Sequence, residues 1–194
     1  MYGTPTGKFE YYVNDKFIEE QSYSVPSKSD MKLFVCGSQT VSFDHLKIKD
    51  NSTGRTLFDG SFSEMKDVLQ SRFEYTVLSS IQDGKYVFKT DKKGSCFKST
   101  IPYELKDQTK INLKSKWIDG ETYYYGLIIE SDDKNYYAFE LKSDGTACFI
   151  KHVQGENEVF IDNIETGIRD IKNEEVLQTV FLNDDKLELY INDK

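Results

Sequence analysis

Apolar and polar residues alternate with a period of two along much of this chain. Ile111, Leu113 and Trp117 fall on one side of one such segment, and the lysines and asparagine between them fall on the other. The pattern returns at 125–129 and 137–141, where large apolar residues occupy every second position. Successive side chains of a β-strand point to opposite faces of the sheet, so this spacing predicts strands that bury one face.

Gly-containing dipeptides separate these segments at 83–84, 93–94, 119–120 and 144–145. Such dipeptides supply the positive φ that tight hairpin turns need. Only residues 62–70 carry apolar positions at helical spacing. We therefore expect an all-β chain, an antiparallel two-sheet β-sandwich of the jelly-roll type with at most one or two short helices.

Two hairpin registers follow from the turn positions. The first pairs Ile129 with Tyr137, and the second pairs Lys142 with Ala147 across the turn at 144–145. Together they place a set of aromatic and charged residues on the outer face of one sheet: Tyr124, Glu130, Tyr136, Glu140, Phe149 and Lys151. Aromatic rings can stack on sugars while charged groups bond their hydroxyls, so this face is the predicted ligand site. The alternative is that the rings simply cover the sheet.

The charge balance restricts the possible partners. The chain has 33 acidic and 25 basic residues, a formal net charge of −8, which argues against a nucleic-acid ligand. No apolar run approaches the length needed to cross a bilayer, so we expect no membrane insertion.

The cysteines and histidines do not form a metal-ligand pattern. Cys36, Cys96 and Cys148 lie far apart, and we expect three buried, reduced thiols and no zinc site. His152 is expected beside Tyr137 in the core. No cofactor is predicted, apart from a possible structural Ca²⁺.

Carboxylates give weak candidates for metal binding or catalysis. Asp44 and Asp59 are the calcium candidates. Asp44 is followed by His45, but neighbouring strand residues are expected to point to opposite faces, which disfavours an acid–base pair. Glu130 ends a strand before two aspartates and offers the nearest approach to a glycosidase acid pair. We assign no catalytic residue.

The two ends of the chain carry versions of one strand. Residues 8–16 and 186–194 are identical at six of nine positions and lie 178 residues apart. That period is the size of a whole domain and too long for a solenoid repeat. The two segments are therefore candidates for the same place in a sandwich.

The order of segments resembles the concanavalin A-like (laminin G-like) jelly-roll superfamily of lectins and glucanases. Residues 57–194 resemble the front part of such a domain, through the segments at 57–62, 81–88, 125–129, 135–141, 143–146 and 187–192. Residues 1–50 resemble its C-terminal closing strands, at 9–14, 32–37 and 41–48. The chain is thus similar to one circularly permuted sandwich spanning 1–194, or to a slice of a tandem array.

The resemblance implies a non-catalytic binding module, with a carbohydrate or cell-surface ligand as the first expectation. Two alternatives remain: a structural module that assembles into homo-oligomers by strand exchange, and a glycoside hydrolase. The first residues contain neither a basic cluster nor an apolar stretch, which predicts a cytoplasmic protein, or an extracellular one if the chain is part of an exported protein.

Overall fold

The computed structural model describes residues 7–13, 16–23, 29–66, 69, 72–74, 77–106, 108–121, 124–132, 134–168, 171–172, 174–183 and 186–192. Within these ranges the chain forms sixteen strands and one 3₁₀ turn, Phe62–Met65. The strands are β1 Gly7–Val13, β2 Lys16–Tyr23, β3 Ser29–Cys36, β4 Gln39–Asp50, β5 Thr56–Ser61, β6 Arg72–Glu74, β7 Val77–Gln82, β8 Lys85–Thr90, β9 Cys96–Leu105, β10 Thr109–Gly120, β11 Tyr124–Asp132, β12 Asn135–Lys142, β13 Thr146–Val153, β14 Glu156–Glu165, β15 Val176–Asn183 and β16 Lys186–Ile191.

Two antiparallel sheets make up the body of the protein, which confirms the predicted all-β sandwich. The larger sheet has the order β16-β15-β10-β4-β8-β7-β6, and β5 pairs with β4 beyond the end of β8. The smaller sheet has the order β14-β13-β12-β11-β3-β9. Strands β1 and β2 form a separate two-stranded ribbon.

One hydrophobic core lies between the two sheets. The smaller sheet contributes Leu33, Leu127 and Phe139, and the larger sheet contributes Phe43 and Ile111, all fully buried. All of them except Phe43 are followed two positions later by another buried residue in the same strand, as the period-two alternation requires. The inward faces of the strands are therefore filled by the core, and the two outward faces are the sheet surfaces open to a ligand.

Strands β3 and β4 lie inside the two sheets and not at their edges. Strand β3 pairs with β11 and β9, and strand β4 pairs with β10 and β8. The turn at 50–54 joins β4 to β5 within the larger sheet. The two similar end strands occupy different places, because β16 ends the larger sheet while β1 pairs with β2 and lies alongside β16.

The 3₁₀ turn is the structure's counterpart of the predicted short helix at 62–70. Its Phe62 and Met65 are buried, as is Leu69. Val68 and Gln70 lie outside the described residues. A single turn suffices here, because these apolar residues need only fill one end of the core.

The prediction of three reduced thiols is wrong. Cys36 and Cys96 face each other directly across β3 and β9 and form a disulfide. The spacing of 60 residues hid this pair, since their contact depends on the register of two non-sequential strands. Cys148 is a free, buried cysteine, and burial raises the pKa of its thiol to about 12.

Candidate functional site

The predicted ligand face belongs to the smaller sheet, and the structure assembles only part of it. The β11–β12 register is confirmed, with Ile129 opposite Tyr137. Because Glu130 pairs with Tyr136 and Gly126 pairs with Glu140, these two carboxylates and Tyr136 share the outer face. Four of the six predicted residues therefore lie on it: Tyr124, Glu130, Tyr136 and Glu140.

Phe149 and Lys151 point the other way, so their assignment to the outer face is wrong. Phe149 pairs with Phe139 and is 1% exposed, with the two ring centroids 4.9 Å apart in the core. Lys151 pairs with Tyr137. His152, expected beside Tyr137 in the core, lies on the outer face.

A loop of odd length causes this reversal. The Gly145 N–H bonds the Lys142 carbonyl, and Gly145 has φ of +85°. A turn followed by a left-handed glycine makes a three-residue loop, which shifts the pairing by one residue relative to an even-length loop. A shift of one residue turns every side chain of β13 to the opposite face. His152 consequently stacks on Tyr136 with ring centroids 4.4 Å apart.

The outer face of the smaller sheet is filled by its own side chains. Phe34, Cys36, Ile128 and Ala138 form a second small apolar cluster on it. The Lys98 ammonium lies 4.4 Å from the ring centroid of Tyr136, and the Lys142 ammonium lies 4.7 Å from that of Tyr124. The rings of Tyr124 and Tyr136, which the sequence predicts to stack on a sugar, are thus each already covered by a lysine ammonium.

The two carboxylates of this face are also buried. Glu130 is 3% exposed and ion-paired with Lys32 at 2.6 Å. Glu140 is 8% exposed, and its Oε2 has no hydrogen-bond partner. Desolvation raises the pKa of Glu140 to about 7, against a smaller opposing effect of Lys142. These groups belong to a packed layer and offer little to a ligand.

The outward side of the larger sheet carries a groove of about 480 Å³. We call it the β10 groove, after its central strand. Cross-strand pairing sets its lining in two rows. The first row is Lys49, Lys110, Phe181 and Glu188, and the second row is Lys47, Asn112, Thr179 and Tyr190. Asn51 completes the lining.

Two polar atoms at the floor of the β10 groove have no hydrogen-bond partner among the residues that the structure describes. They are Asn112 Oδ1 and Thr179 Oγ1, on residues that pair directly across β10 and β15. Thr179 is 3% exposed, so water does not compensate its hydroxyl freely. Buried polar groups are nearly always hydrogen-bonded in proteins, and an unpaired one is costly. A bound molecule would pair both groups.

The lysines of the β10 groove differ in their partners. Lys47 donates to Asp59 Oδ2 at 2.6 Å, and this bond is the main cause of the lowered pKa of Asp59. Within the described part of the chain, Lys49 and Lys110 have no carboxylate partner. The groove thus contains free ammonium groups in a protein with a net charge of −8.

A neighbouring recess of about 400 Å³ shares Lys47 and Asn112 with the β10 groove. Asp44 and His45 both line it, so the expectation that they point to opposite faces is wrong. The cause is a β-bulge, in which these two residues oppose Lys114 alone.

The bulge brings the calcium candidates Asp44 and Asp59 to the same recess, and each holds a partner. Lys85 donates to Asp44 at 3.0 Å, and Asp59 Oδ1 lies 2.9 Å from His45 Nε2. No described group of three or more His, Cys, Asp or Glu residues is arranged to hold a metal ion.

The candidate for a glycosidase acid pair is likewise engaged. Glu130 is ion-paired with Lys32, and Asp132 accepts bonds from the Asn135 amide and the Lys134 backbone N–H. Asp133 lies outside the described residues.

Sequence reasoning missed the β10 groove, although one signal for it was present. Lys110, Asn112 and Lys114 form the polar side of the alternation in β10, and Lys47 and Lys49 repeat it in β4. Polar sides of strands are ordinarily solvated, so this signal needs the strand order before it indicates a site.

The fold places the protein in the class of all-β, two-sheet antiparallel sandwiches. Comparison with protein-family models, with curated proteins and with solved structures finds no match. Among the described segments, no helix is long and apolar enough to cross a membrane.

Proposed function

We propose that the protein is a non-catalytic binding module that holds a carbohydrate in the β10 groove. The observation that carries this proposal is the pair of unpartnered polar atoms on the groove floor, Asn112 Oδ1 and Thr179 Oγ1. The Asn112 oxygen is an acceptor and needs a donor, which a sugar hydroxyl supplies. The Thr179 hydroxyl can donate to or accept from a second sugar oxygen.

The shape and lining of the groove support the same proposal. Its volume of about 480 Å³ lies within the range typical of small-ligand sites. The rings of Phe181 and Tyr190 line it beside the polar floor. Apolar rings next to a few placed polar groups suit a sugar, which has C–H faces and a rim of hydroxyls.

A non-catalytic role is favoured by the state of the nearby carboxylates. Asp44 and Asp59 each bind a lysine at the neighbouring recess. Glu188, which lines the groove itself, accepts a hydrogen bond from the Tyr190 hydroxyl. Retaining and inverting glycosidases need one carboxylate free to attack or to activate water. Incubation with a panel of glucan substrates should therefore release no product, and release of reducing sugar would contradict this part of the proposal.

The test is binding to a panel of immobilised glycans, with the chain intact, in calcium and in chelator. We expect at least one glycan class to bind in both conditions, since the lysine-bound aspartates are poor calcium ligands. Thr179→Val, which removes the floor hydroxyl at constant shape, should weaken binding about tenfold. Thr100→Val is the matched control, because Thr100 is exposed on β9 of the other sheet. Binding of no glycan in either condition would contradict the proposal.

We further propose that the chain is a permuted concanavalin A-like sandwich. The segments similar to that family's closing strands form β3 and β4, which lie inside the two sheets rather than at their edges. The disulfide between Cys36 and Cys96 favours an oxidising compartment and hence the extracellular alternative. Thiol titration of protein recovered from its native compartment tests this, with one free thiol per chain expected among the three cysteines.

Strand exchange between copies is the second candidate function. The β1–β2 ribbon is a two-stranded sheet lying beside the edge strand β16, and isolated two-stranded ribbons are marginally stable. An edge covered in this way can be covered instead by the ribbon of another copy. Light scattering over a wide concentration range tests this candidate, and a strict monomer at the highest concentration would contradict it.

A further inference from the structure

We infer that the ligand of the β10 groove is an acidic carbohydrate, a sugar carrying carboxylate or sulfate groups. This inference rests on the proposed function and names the chemical class of its ligand. It depends on a different set of atoms, the ammonium groups of the groove lysines. The two proposals can therefore fail separately.

The register of β4 and β10 places two lysines against each other. Lys49 and Lys110 are directly opposite cross-strand partners, and both line the groove. Like charges in that position repel and destabilise a sheet. Neither has a carboxylate partner among the described residues. An anion between the two ammonium groups would convert this repulsion into attraction.

Among the described residues, the remaining charges around the groove do not balance this excess. Lys47 is neutralised by Asp59, which also contacts His45. Glu188, the acidic residue of the first row, accepts a hydrogen bond from the Tyr190 hydroxyl at 3.3 Å.

At the neighbouring recess, Asp44 is neutralised by Lys85, and Lys114 adds a third lysine that has no carboxylate partner among the described residues. The groove and recess thus present more cations than anions on a protein with an overall charge of −8.

Charge alone would equally suit an inorganic anion or a nucleic acid, and the groove floor distinguishes among them. Asn112 Oδ1 accepts hydrogen bonds only, so the ligand must bring a donor next to its anionic group. Sulfate is ionised at neutral pH and lacks such a donor, and hydrogen phosphate, which keeps one, has no apolar face for the rings of Phe181 and Tyr190. A long polyphosphate backbone would also meet the net negative charge of the rest of the protein. A sugar acid combines hydroxyl donors with an anion on one ring.

The experiment compares four probes by titration calorimetry on the intact chain. They are a neutral oligosaccharide, its uronate counterpart, its sulfated counterpart and a short single-stranded RNA. We expect one or both acidic sugars to bind about tenfold more tightly than the neutral one at low salt, and less so at high salt. The uronate and sulfate arms identify which anion the lysines prefer.

The variant Lys49→Gln/Lys110→Gln removes the facing pair. It should lose the preference for acidic sugars while keeping its affinity for the neutral one. The matched control is Lys89→Gln/Lys134→Gln, which removes the same charge from positions that do not line the groove. A purely structural role for the lysines would lower the melting temperature of the groove variant, whereas relief of repulsion should leave it equal or higher.

Each outcome separates the two proposals. Equal binding of neutral and acidic sugars, unchanged in the groove variant, would overturn the acidic-ligand inference and leave the proposed function standing. Failure of all three sugars would overturn both. Tighter binding of the RNA than of any sugar would overturn the choice of ligand class and assign the lysines to a polynucleotide.

Discussion

The outer faces of the two sheets carry similar types of residue, but only the face of the smaller sheet is filled by its own side chains. On the smaller sheet, Tyr124 and Tyr136 are each covered by a lysine, and Glu130 is ion-paired. On the larger sheet, Asn112 and Thr179 present unpaired polar atoms beneath free lysines. Aromatic and charged content is therefore a poor guide to a site. What distinguishes the β10 groove is that its unpaired polar atoms lie at an open groove, whereas the unpaired Glu140 Oε2 of the smaller sheet lies in a packed layer.

The largest effect is expected at the disulfide on the closed face. Cys36→Ser/Cys96→Ser opens a loop of 60 residues, which the chain-entropy model values at about 4 kcal/mol of unfolding free energy. Urea denaturation of the wild type and the variant measures this difference. Cys148→Ser is the control: it keeps the disulfide, so added reductant should lower its stability as much as it lowers that of the wild type, and should leave the double variant unchanged. An unchanged stability after reduction of the wild type would contradict the covalent closure of this face.

The next largest effect is expected from truncating one phenylalanine on each of the two outer faces and comparing the losses of stability. Phe34→Ala removes a ring that is 2% exposed on the smaller sheet and should cost about 3 kcal/mol. Phe181→Ala removes a half-buried ring of the β10 groove and should cost about 1 kcal/mol, with a loss of ligand binding. Denaturation and glycan binding on both variants give the comparison. Equal losses of stability would mean that the two faces are alike.

The pH dependence of stability gives a third comparison of the two faces, through Glu140 on the smaller sheet. Burial raises the pKa of this carboxyl to about 7 from 4.5 in the unfolded chain, so the folded state holds the proton more tightly. The contribution of Glu140 to stability is therefore greatest below about pH 4.5 and is lost as the pH rises through about 7, a decrease of about 3 kcal/mol.

The variant Glu140→Gln should remove this loss and be more stable than the wild type above neutral pH. The matched control is Glu130→Gln, which breaks the ion pair with Lys32 and should be destabilised in the same range. Urea unfolding across this pH range is the measurement. A pH profile unchanged by Glu140→Gln would contradict the burial of its charge.

These contrasts also mark how far the sequence alone could lead. The alternation in β10, β11 and β12 predicts the inward residues correctly, because burial acts on every second position of each strand. Residues 147–150 are Ala-Cys-Phe-Ile, where both alternating sets are apolar. The alternation therefore does not show which face of β13 is the inner one, and the length of the turn at 143–145 determines it.

The β10 groove was beyond sequence reasoning for a different reason. Its lining comes from β4, β10, β15 and β16, and the facing of Lys49 with Lys110 depends on a register between strands about sixty residues apart. Local patterns report which residues share a strand face, and they do not report which strands are neighbours. The β-bulge at Asp44 and His45 adds a local exception to the alternation that carries no composition signal.

The smallest effect is expected for a substitution on the groove floor, where the sign of the change in stability is the informative result. Thr179→Val replaces an unpaired buried hydroxyl by a methyl group and should stabilise the unliganded protein by about 1 kcal/mol, since the desolvation penalty is removed. Thr109→Val is the matched control in the same sheet. Thr109 is 2% exposed, but its hydroxyl donates to the Lys106 carbonyl at 2.7 Å, so its loss should cost about 1 kcal/mol.

Thermal unfolding with and without the bound glycan completes this comparison. The ligand should stabilise the wild type and Thr109→Val by equal amounts, and stabilise Thr179→Val much less. A gain in intrinsic stability combined with a loss of ligand response is expected only where a polar group is kept for a partner outside the chain. If Thr179→Val instead destabilises the protein as Thr109→Val does, its hydroxyl serves the fold and the two faces are equally closed.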